Sequence, residues 1–183
     1  MVTSARNYCK HDVLDDGSVV IVRAICPTDR QSLIEAFSCL DVDSVRSRFF
    51  RDRKSLSPEE LEYFTDVDFV NHVAIGVGLL GQEQMLPIGV GRYIVDIEEP
   101  ESAEIALTVH EMYRGIGVGT LMFKHLREIA AANDIEKFRA VILETNGRMM
   151  HVLQRSQLPL CVISADDVME ISIDITRPLT TTE

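Results

Sequence analysis

The stretch that most constrains this chain runs from Ala103 to Ala132, A-E-I-A-L-T-V-H-E-M-Y-R-G-I-G-V-G-T-L-M-F-K-H-L-R-E-I-A-A-A. Ile105, Leu107 and Val109 alternate with Glu104, Ala106 and Thr108, the period of two that marks a strand. Val118, Leu121, Met122, Leu126 and Ile129 then recur at helical spacing and give one apolar face. Between the two, Arg114-Gly115-Ile116-Gly117-Val118-Gly119 sets three glycines at alternate positions. Backbone N–H groups at the start of a helix have no intrahelical partner, and the helix dipole is positive there. Left uncovered by side chains, they make a site for an anion such as a phosphate.

The spacing decides which phosphate loop this is. A Walker loop follows its last glycine with lysine, whereas Gly119 is followed by Thr120. The dinucleotide fingerprint G-x-G-x-x-G does not fit glycines at 115, 117 and 119. The pattern present is R-x-x-G-x-G, Arg114 to Gly119, directly after a strand. It resembles the pyrophosphate loop of the GNAT superfamily of acyl-CoA-dependent N-acyltransferases. I-G-V-G also occurs at Ile75–Gly78 and Ile88–Gly91, but neither copy precedes an amphipathic helix. Those glycines are expected to sit in strands and permit close packing.

The chain around this unit reads as one domain. Val19 to Ile25 is a first strand; Pro27-Thr28 opens a helix, with Thr28 and Gln31 spaced as a capping box and Leu33, Phe37 and Leu40 as its stripe. Asp41–Phe50 is a second helix, and Ser57-Pro58-Glu59-Glu60 starts a third. His72–Leu80 and Pro87–Asp96 form a hairpin across Gly81–Gln84. After the central helix come a strand at Arg139–Thr145, a helix capped by Asn146, a short strand at Val162-Ile163, and the clearest strand of the chain, in which Met169, Ile171, Ile173 and Ile175 alternate with polar residues. Residues 1–17 read as a flexible polar arm, 18–176 as the acyltransferase domain, and 177–183 as a polar tail.

Charge narrows the partners. Lysine and arginine number 18 against 29 aspartates and glutamates, a formal net charge of −11. Nucleic acid is not expected as a partner, because binding it rests on phosphate neutralisation. A cationic acceptor such as an amine is favoured by the field, while an anionic cofactor must be held locally. No apolar run approaches the length of a membrane span, and the N-terminus shows no signal-peptide core. Cys9, Cys26, Cys39 and Cys161 are scattered, and read as reduced, buried thiols in a cytoplasmic protein. His110-Glu111 begins a metalloprotease-like motif, but Arg114 stands where the second histidine belongs, so no metal is expected.

The element order resembles the GNAT fold, α/β (α+β), with a mixed, mostly antiparallel sheet flanked by helices. More closely, the chain is similar to the acetyltransferase domain of bacterial protein-lysine acetyltransferases. The marks are S-R-F-F at Ser47–Phe50, D-V-D-F-V-N-H-V-A at Asp66–Ala74, G-V-G-R-Y at Gly89–Tyr93, A-E-I-A at Ala103–Ala106, and Asn146 heading N-G-R-M-M. No acyl-CoA-synthetase-like or nucleotide-binding regulatory domain accompanies them, so the acceptor can be a protein lysine or a smaller amine. The resemblance implies acetyl-CoA as co-substrate, without a metal. It places the pyrophosphate on Arg114, Gly115, Ile116, Gly117, Val118, Gly119 and Thr120, and the pantetheine arm on backbone groups of Leu107, Thr108 and Val109 and on Asn146. It also places one wall of the acceptor site in Asp41–Thr65, which carries Arg46, Arg48, Arg51 and Arg53.

The implied reaction is direct attack of an amine on the thioester carbonyl. An alkylamine with a pKa near ~10.4 is neutral in only about one molecule in a thousand at neutral pH, a deficit of roughly 4 kcal/mol. A base is therefore useful, and Glu104, Glu111 and Glu144 are the candidates. The resemblance selects Glu104, in the A-E-I-A segment. A tyrosine seven residues after the asparagine is the acid in many such enzymes; here that position is Leu153, and His151 or water are the alternatives.

Overall fold

A computed structural model describes residues 5–80 and 85–177. Eight strands build one sheet: β1 (Cys9–Val13), β2 (Val19–Ala24), β3 (His72–Leu80), β4 (Met85–Val95), β5 (Ser102–Val109), β6 (Lys137–Leu143), β7 (Leu160–Ala165) and β8 (Val168–Asp174). Their order is β1-β2-β3-β4-β5-β6-β8-β7, and every neighbouring pair is antiparallel except β5 with β6. The helices are α1 (Arg30–Ser38), α2 (Val42–Phe49), α3 (Pro58–Thr65), α4 (Val118–Ala132) and α5 (Gly147–Arg155). This is the mixed, mostly antiparallel sheet flanked by helices that the sequence implies.

Alternation along β5 divides the sheet into two faces. Ile105 and Leu107 look toward α4, and Ala106 and Thr108 toward α1 and α2. The α4 face is dry: Val118, Met122, Phe123, Leu126 and Ala130 are buried in one core with Tyr93, Ile105 and Phe138. Gly89 and Gly91 of β4 let this helix approach. A Cβ on Gly89 would lie 3.0 Å from Val118 Cγ1, and one on Gly91 would lie 3.0 Å from both Leu107 Cδ2 and Leu126 Cδ1. The strand glycines of the second I-G-V-G copy thus serve close packing, as expected.

Three local readings are corrected. Residues 9–13 of the supposed arm form β1, paired in register with β2 from Cys9↔Arg23 to Val13↔Val19. Its docking is polar, which is why no apolar pattern announces it. Lys10 meets Glu128 at 2.6 Å, Asp12 meets Lys124 at 2.9 Å, and Tyr8 Oη lies 2.5 Å from Nδ1 of the buried His125. The capping box before α1 belongs to Cys26 and Asp29, one register earlier than Thr28 and Gln31. Asp29 wins because Arg23 fixes its carboxylate at 2.6 Å. All four cysteines are free, but exposed rather than buried. The reciprocal box of Ser57 and Glu60 at α3 is present as expected. Residues 1–4, the Gly81–Gln84 turn and residues 178–183 of the tail lie outside the described residues.

The glycine contacts make a testable contrast. Gly91→Ala should destabilise the protein by about 1–3 kcal/mol through overpacking against Leu107 and Leu126. Gly76→Ala, whose Cβ would meet only Ile25 Cγ1 at 3.8 Å, should cost far less. Urea midpoints of the two variants check this, and equal losses would refute the packing account.

Candidate active site

The site begins where the sheet comes apart. β5 and β6 pair only at Ser102↔Lys137, Ala103↔Phe138 and Glu104↔Arg139. Beyond Glu104 the two parallel strands diverge, so the β6-facing backbone of the next five residues of β5 has no strand partner. A cavity of about 550 Å³ opens in this fork. One wall is Leu107, Thr108 and Val109; the opposite wall is Asn146, Gly147, Arg148 and Met149 at the start of α5. The far end is the glycine loop, with Gly115 and Gly117 both at positive φ (79° and 92°) and Gly117 as N-cap of α4. A chain of ordinary residues is strained at such angles. Gly119 lets α5 close on α4, because a Cβ there would lie 2.9 Å from Val152 Cγ2.

Most of the expected cofactor residues gather here. Leu107, Thr108, Val109, Arg114, Gly115, Gly117, Gly119, Thr120 and Asn146 line the cavity. Ile116 and Val118 do not: Ile116 packs on the core and Val118 is buried in it, so they can contribute only main-chain groups. Asn146 caps α5 by accepting a hydrogen bond from Met149 N at 3.1 Å. The Arg114 guanidinium is tied to Asp41 at 2.8 Å and to Ser44 Oγ. It thereby clamps the start of α2 to the loop. The hydrogen bonds to Ser44 and the Arg114 charge hold the Asp41 carboxyl well below its usual range.

Glu104 stands outside the lining, exposed at the apex of the fork and last in the paired register. Glu111 and Glu144 are also exposed and line neither this cavity nor its neighbour. Leu153 is fully buried, on the core side of α5, so an acid placed there would not face the cavity. His151 and Val152 face it, as does Tyr113. Sequence reading missed Tyr113, Arg148 and Arg155. The apolar stripe of α5 was the available signal: Met149 and Leu153 face inward, which turns Arg148, Val152 and Arg155 toward the fork. It also missed Asp15, delivered by the β1–β2 turn. Asp15 N donates to Ile116 O at 3.2 Å, its carboxylate lies 3.0 Å from where a Gly117 Cβ would be, and Arg155 meets it at 3.3 Å.

A second, smaller cavity of about 70 Å³ lies under α1 and α2 on the other face of the sheet. Thr108 and Arg48 line both cavities. Its walls are apolar apart from Arg48, Arg92, Thr108 and His110. Arg92 is buried, stacks 4.5 Å over Phe64, and donates to His72 Nε2 at 3.0 Å. That bond requires an unprotonated Nε2. Burial and the Arg92 charge push His72 down to about 4.

Among the described residues no group of three or more His, Cys, Asp or Glu is arranged to hold a metal, and no helix is long and apolar enough to cross a membrane. A model of the acetyltransferase (GNAT) domain matches residues 20–158. Acetyltransferase PA5475 of Pseudomonas aeruginosa is 28% identical over 137 residues, 74% of this chain and 73% of that protein. Acetyltransferase Pat of Mycolicibacterium smegmatis is 26% identical over 141 residues, 76% of this chain but 41% of that longer protein. The GNAT domain of S. lividans PAT superposes with a TM-score of 0.83 at 25% identity, over 91% of this chain and 96% of that one. The structure of yncA from Salmonella typhimurium with its cofactor acetyl-CoA shares the fold, with a TM-score of 0.69 at 12% identity over 87% and 95% of the two chains.

The His72–Arg92 contact has a pH signature. Because the folded pKa lies below the ordinary value of ~6.5, the unfolded chain binds more protons between the two. Stability is therefore complete above pH ~6.5 and should fall as the pH drops toward about 4. His125, also pushed down by burial, acts in the same direction. Calorimetry of His72→Gln should show a shallower fall of Tm across this window than the parent; an identical slope would remove His72 from the account.

Proposed function

The chain belongs to the GNAT acetyltransferase family, and on that premise we propose that it moves an acetyl group from acetyl-CoA to a primary amine, the side chain of a protein lysine. The likeness to Pat of M. smegmatis and to the GNAT domain of S. lividans PAT supports the lysine reading. The four free cysteines suit a cytoplasmic setting. One observation carries the mechanism: β5 and β6 part at Glu104, and the fork they open ends on the glycine loop.

In this reading the pyrophosphate rests on the N–H groups at Gly115–Thr120, with Arg148 and Arg155 beside it. The pantetheine arm runs along Leu107–Val109 and takes the place of the missing strand, using backbone groups that β6 leaves unpaired. Its thioester then points to the apex. One free N–H of β5 can donate to the carbonyl oxygen and stabilise the oxyanion formed on attack. Glu104 lies four residues from Thr108, about 13 Å along a strand rising ~3.3 Å per residue, so it can serve only a thioester carried to the apex.

The ammonium form of the acceptor loses a proton to the Glu104 carboxylate, directly or through water. The amine nitrogen then attacks the thioester carbon, the new C–N bond forms, and the C–S bond breaks. CoA leaves as thiolate and takes up a proton, from His151, Tyr113 or water.

Incubation with acetyl-CoA and a pool of proteins and small amines, read by CoA release and mass spectrometry, tests the reading; acetylated small amines with untouched lysines would overturn the lysine assignment. Glu104→Gln should lower kcat by about 10²–10⁴-fold, the usual worth of a general base, with little change in acetyl-CoA affinity. Raising the pH should restore part of the lost rate. A near-normal kcat would move the base elsewhere. Asp15→Asn should tighten acetyl-CoA binding severalfold at low salt, because it removes a carboxylate from beside the phosphate loop. Titration calorimetry would show the change, and weaker binding would mean that Asp15 matters for loop shape rather than charge.

A further inference from the structure

Around the second cavity the arginines that are not exposed have counter-charges, with two exceptions. Arg23 is paired with Asp29, Arg53 with Glu60, and Arg114 with Asp41. Arg48 and Arg92, both lining the 70 Å³ cavity, have no carboxylate within 4.0 Å among the described residues. Arg92 is only 5% exposed. Its described acceptors, Phe64 O at 3.4 Å and His72 Nε2 at 3.0 Å, both meet Nη1. The Phe64 ring at 4.5 Å and the Phe49 ring, 5.2 Å from Arg48, offer π faces but no charge. The carboxylate acting on Arg48 from a distance is that of Glu104, at the apex of the fork. A buried guanidinium beside a second cation is costly unless an anion joins it. Burial and the neighbouring Arg48 push Arg92 down to about 9.

We propose that this pocket receives a carboxylate at the end of a short chain carried by one of the two reactants. The inference rests on the acyl-CoA transferase reading above and replaces either its acetyl group or its lysine acceptor. Guanidinium groups match carboxylates in geometry as well as charge. A 70 Å³ space between Leu33, Phe37, Leu40 and Phe49 holds a few heavy atoms, given about 30 Å³ for a single water. Thr108 and Arg48, shared with the larger cavity, put that space next to the path of the thioester. The carboxylate can therefore belong to the acyl group or to the acceptor amine. The transfer step is the same in either case: C–N forms, C–S breaks, and one proton leaves the ammonium.

Paired probes differing in one carboxylate test this. For the donor, calorimetry compares succinyl-CoA with butyryl-CoA; for the acceptor, CoA release from acetyl-CoA compares β-alanine and aspartate with their amides. The carboxylate member of at least one pair should be favoured by about 10- to 100-fold, as for a charge-assisted contact in a dry site. Preference in the donor pair alone assigns the pocket to the acyl group, and in the acceptor pairs alone to the amine. Arg92→Met and Arg48→Gln should each bring the ratio close to one. If Arg92→Met does not fold, Arg48→Gln, on the more exposed α2, decides. Equal treatment of both members in every pair, with acetyl-CoA still bound, would overturn the inference while leaving the transferase reading in place. A preference that survives in the folded arginine variants would overturn it as well. Loss of acetyl-CoA binding in the unaltered protein would instead strike the transferase reading.

Discussion

Everything at the site depends on hydrogen bonds that the sheet does not make. A parallel pair of strands normally satisfies main-chain groups along its whole length, and β5 and β6 do so for three residues before separating. The separation is held from both sides. On one, Gly89 and Gly91 draw α4 close under β5, and on the other β6 is carried away by its full seven-residue ladder with β8. The glycine loop and α5 then frame the opening. A fork of this kind is a stable defect, because the elements around it are fully packed while the unpaired edge faces a ligand-sized space.

The second constraint is electrostatic. In the proposed reading a chain with a formal charge of −11 holds a polyanion by local placement rather than by net charge. Positive φ at Gly115 and Gly117 opens the loop, and Arg148 and Arg155 turn toward the fork because Leu153 turns into the core. Asp15 works against this arrangement and is answered by Arg155. Arg114, which the family resemblance assigns to phosphate, spends its charge on Asp41 and fastens α2 over the site. Its contribution to the site is thus as much the position of Arg48, which α2 carries, as its own charge.

The central unit was readable because several physical signals coincide in it. Strict alternation in β5, a helical stripe in α4 and alternate glycines between them admit few other folds, and Ser57 with Glu60 marks α3 as clearly. β1 was not readable, because an edge strand tied down by Lys10, Asp12 and Tyr8 has no buried face to leave a pattern. The fork itself left no local trace either. Residues of β5 alternate in the same way before and after Glu104, and only the partner strand tells the two halves apart. Nor could spacing show that Arg48 and Arg92, far apart in sequence, lie on one small cavity without counter-ions. Charge pairing is a tertiary property, and Arg53 looks no different from Arg48 until Glu60 is found beside it.

Leu153 also bears on how much acid catalysis the reaction needs. The two proton transfers are unequal in difficulty. Removing a proton from an ammonium of pKa ~10.4 at neutral pH costs roughly 4 kcal/mol, whereas a thiol of pKa ~8.5 lies within about 2 kcal/mol of its thiolate. Expelling CoA as thiolate therefore requires little help, and water can complete the step. In the proposed reaction the Glu104 carboxylate serves the harder step from the apex of the fork, while Leu153 of α5 is buried in the core. Placing an acid at position 153 would put a polar group among buried side chains, where it would carry a desolvation cost unless it found a partner.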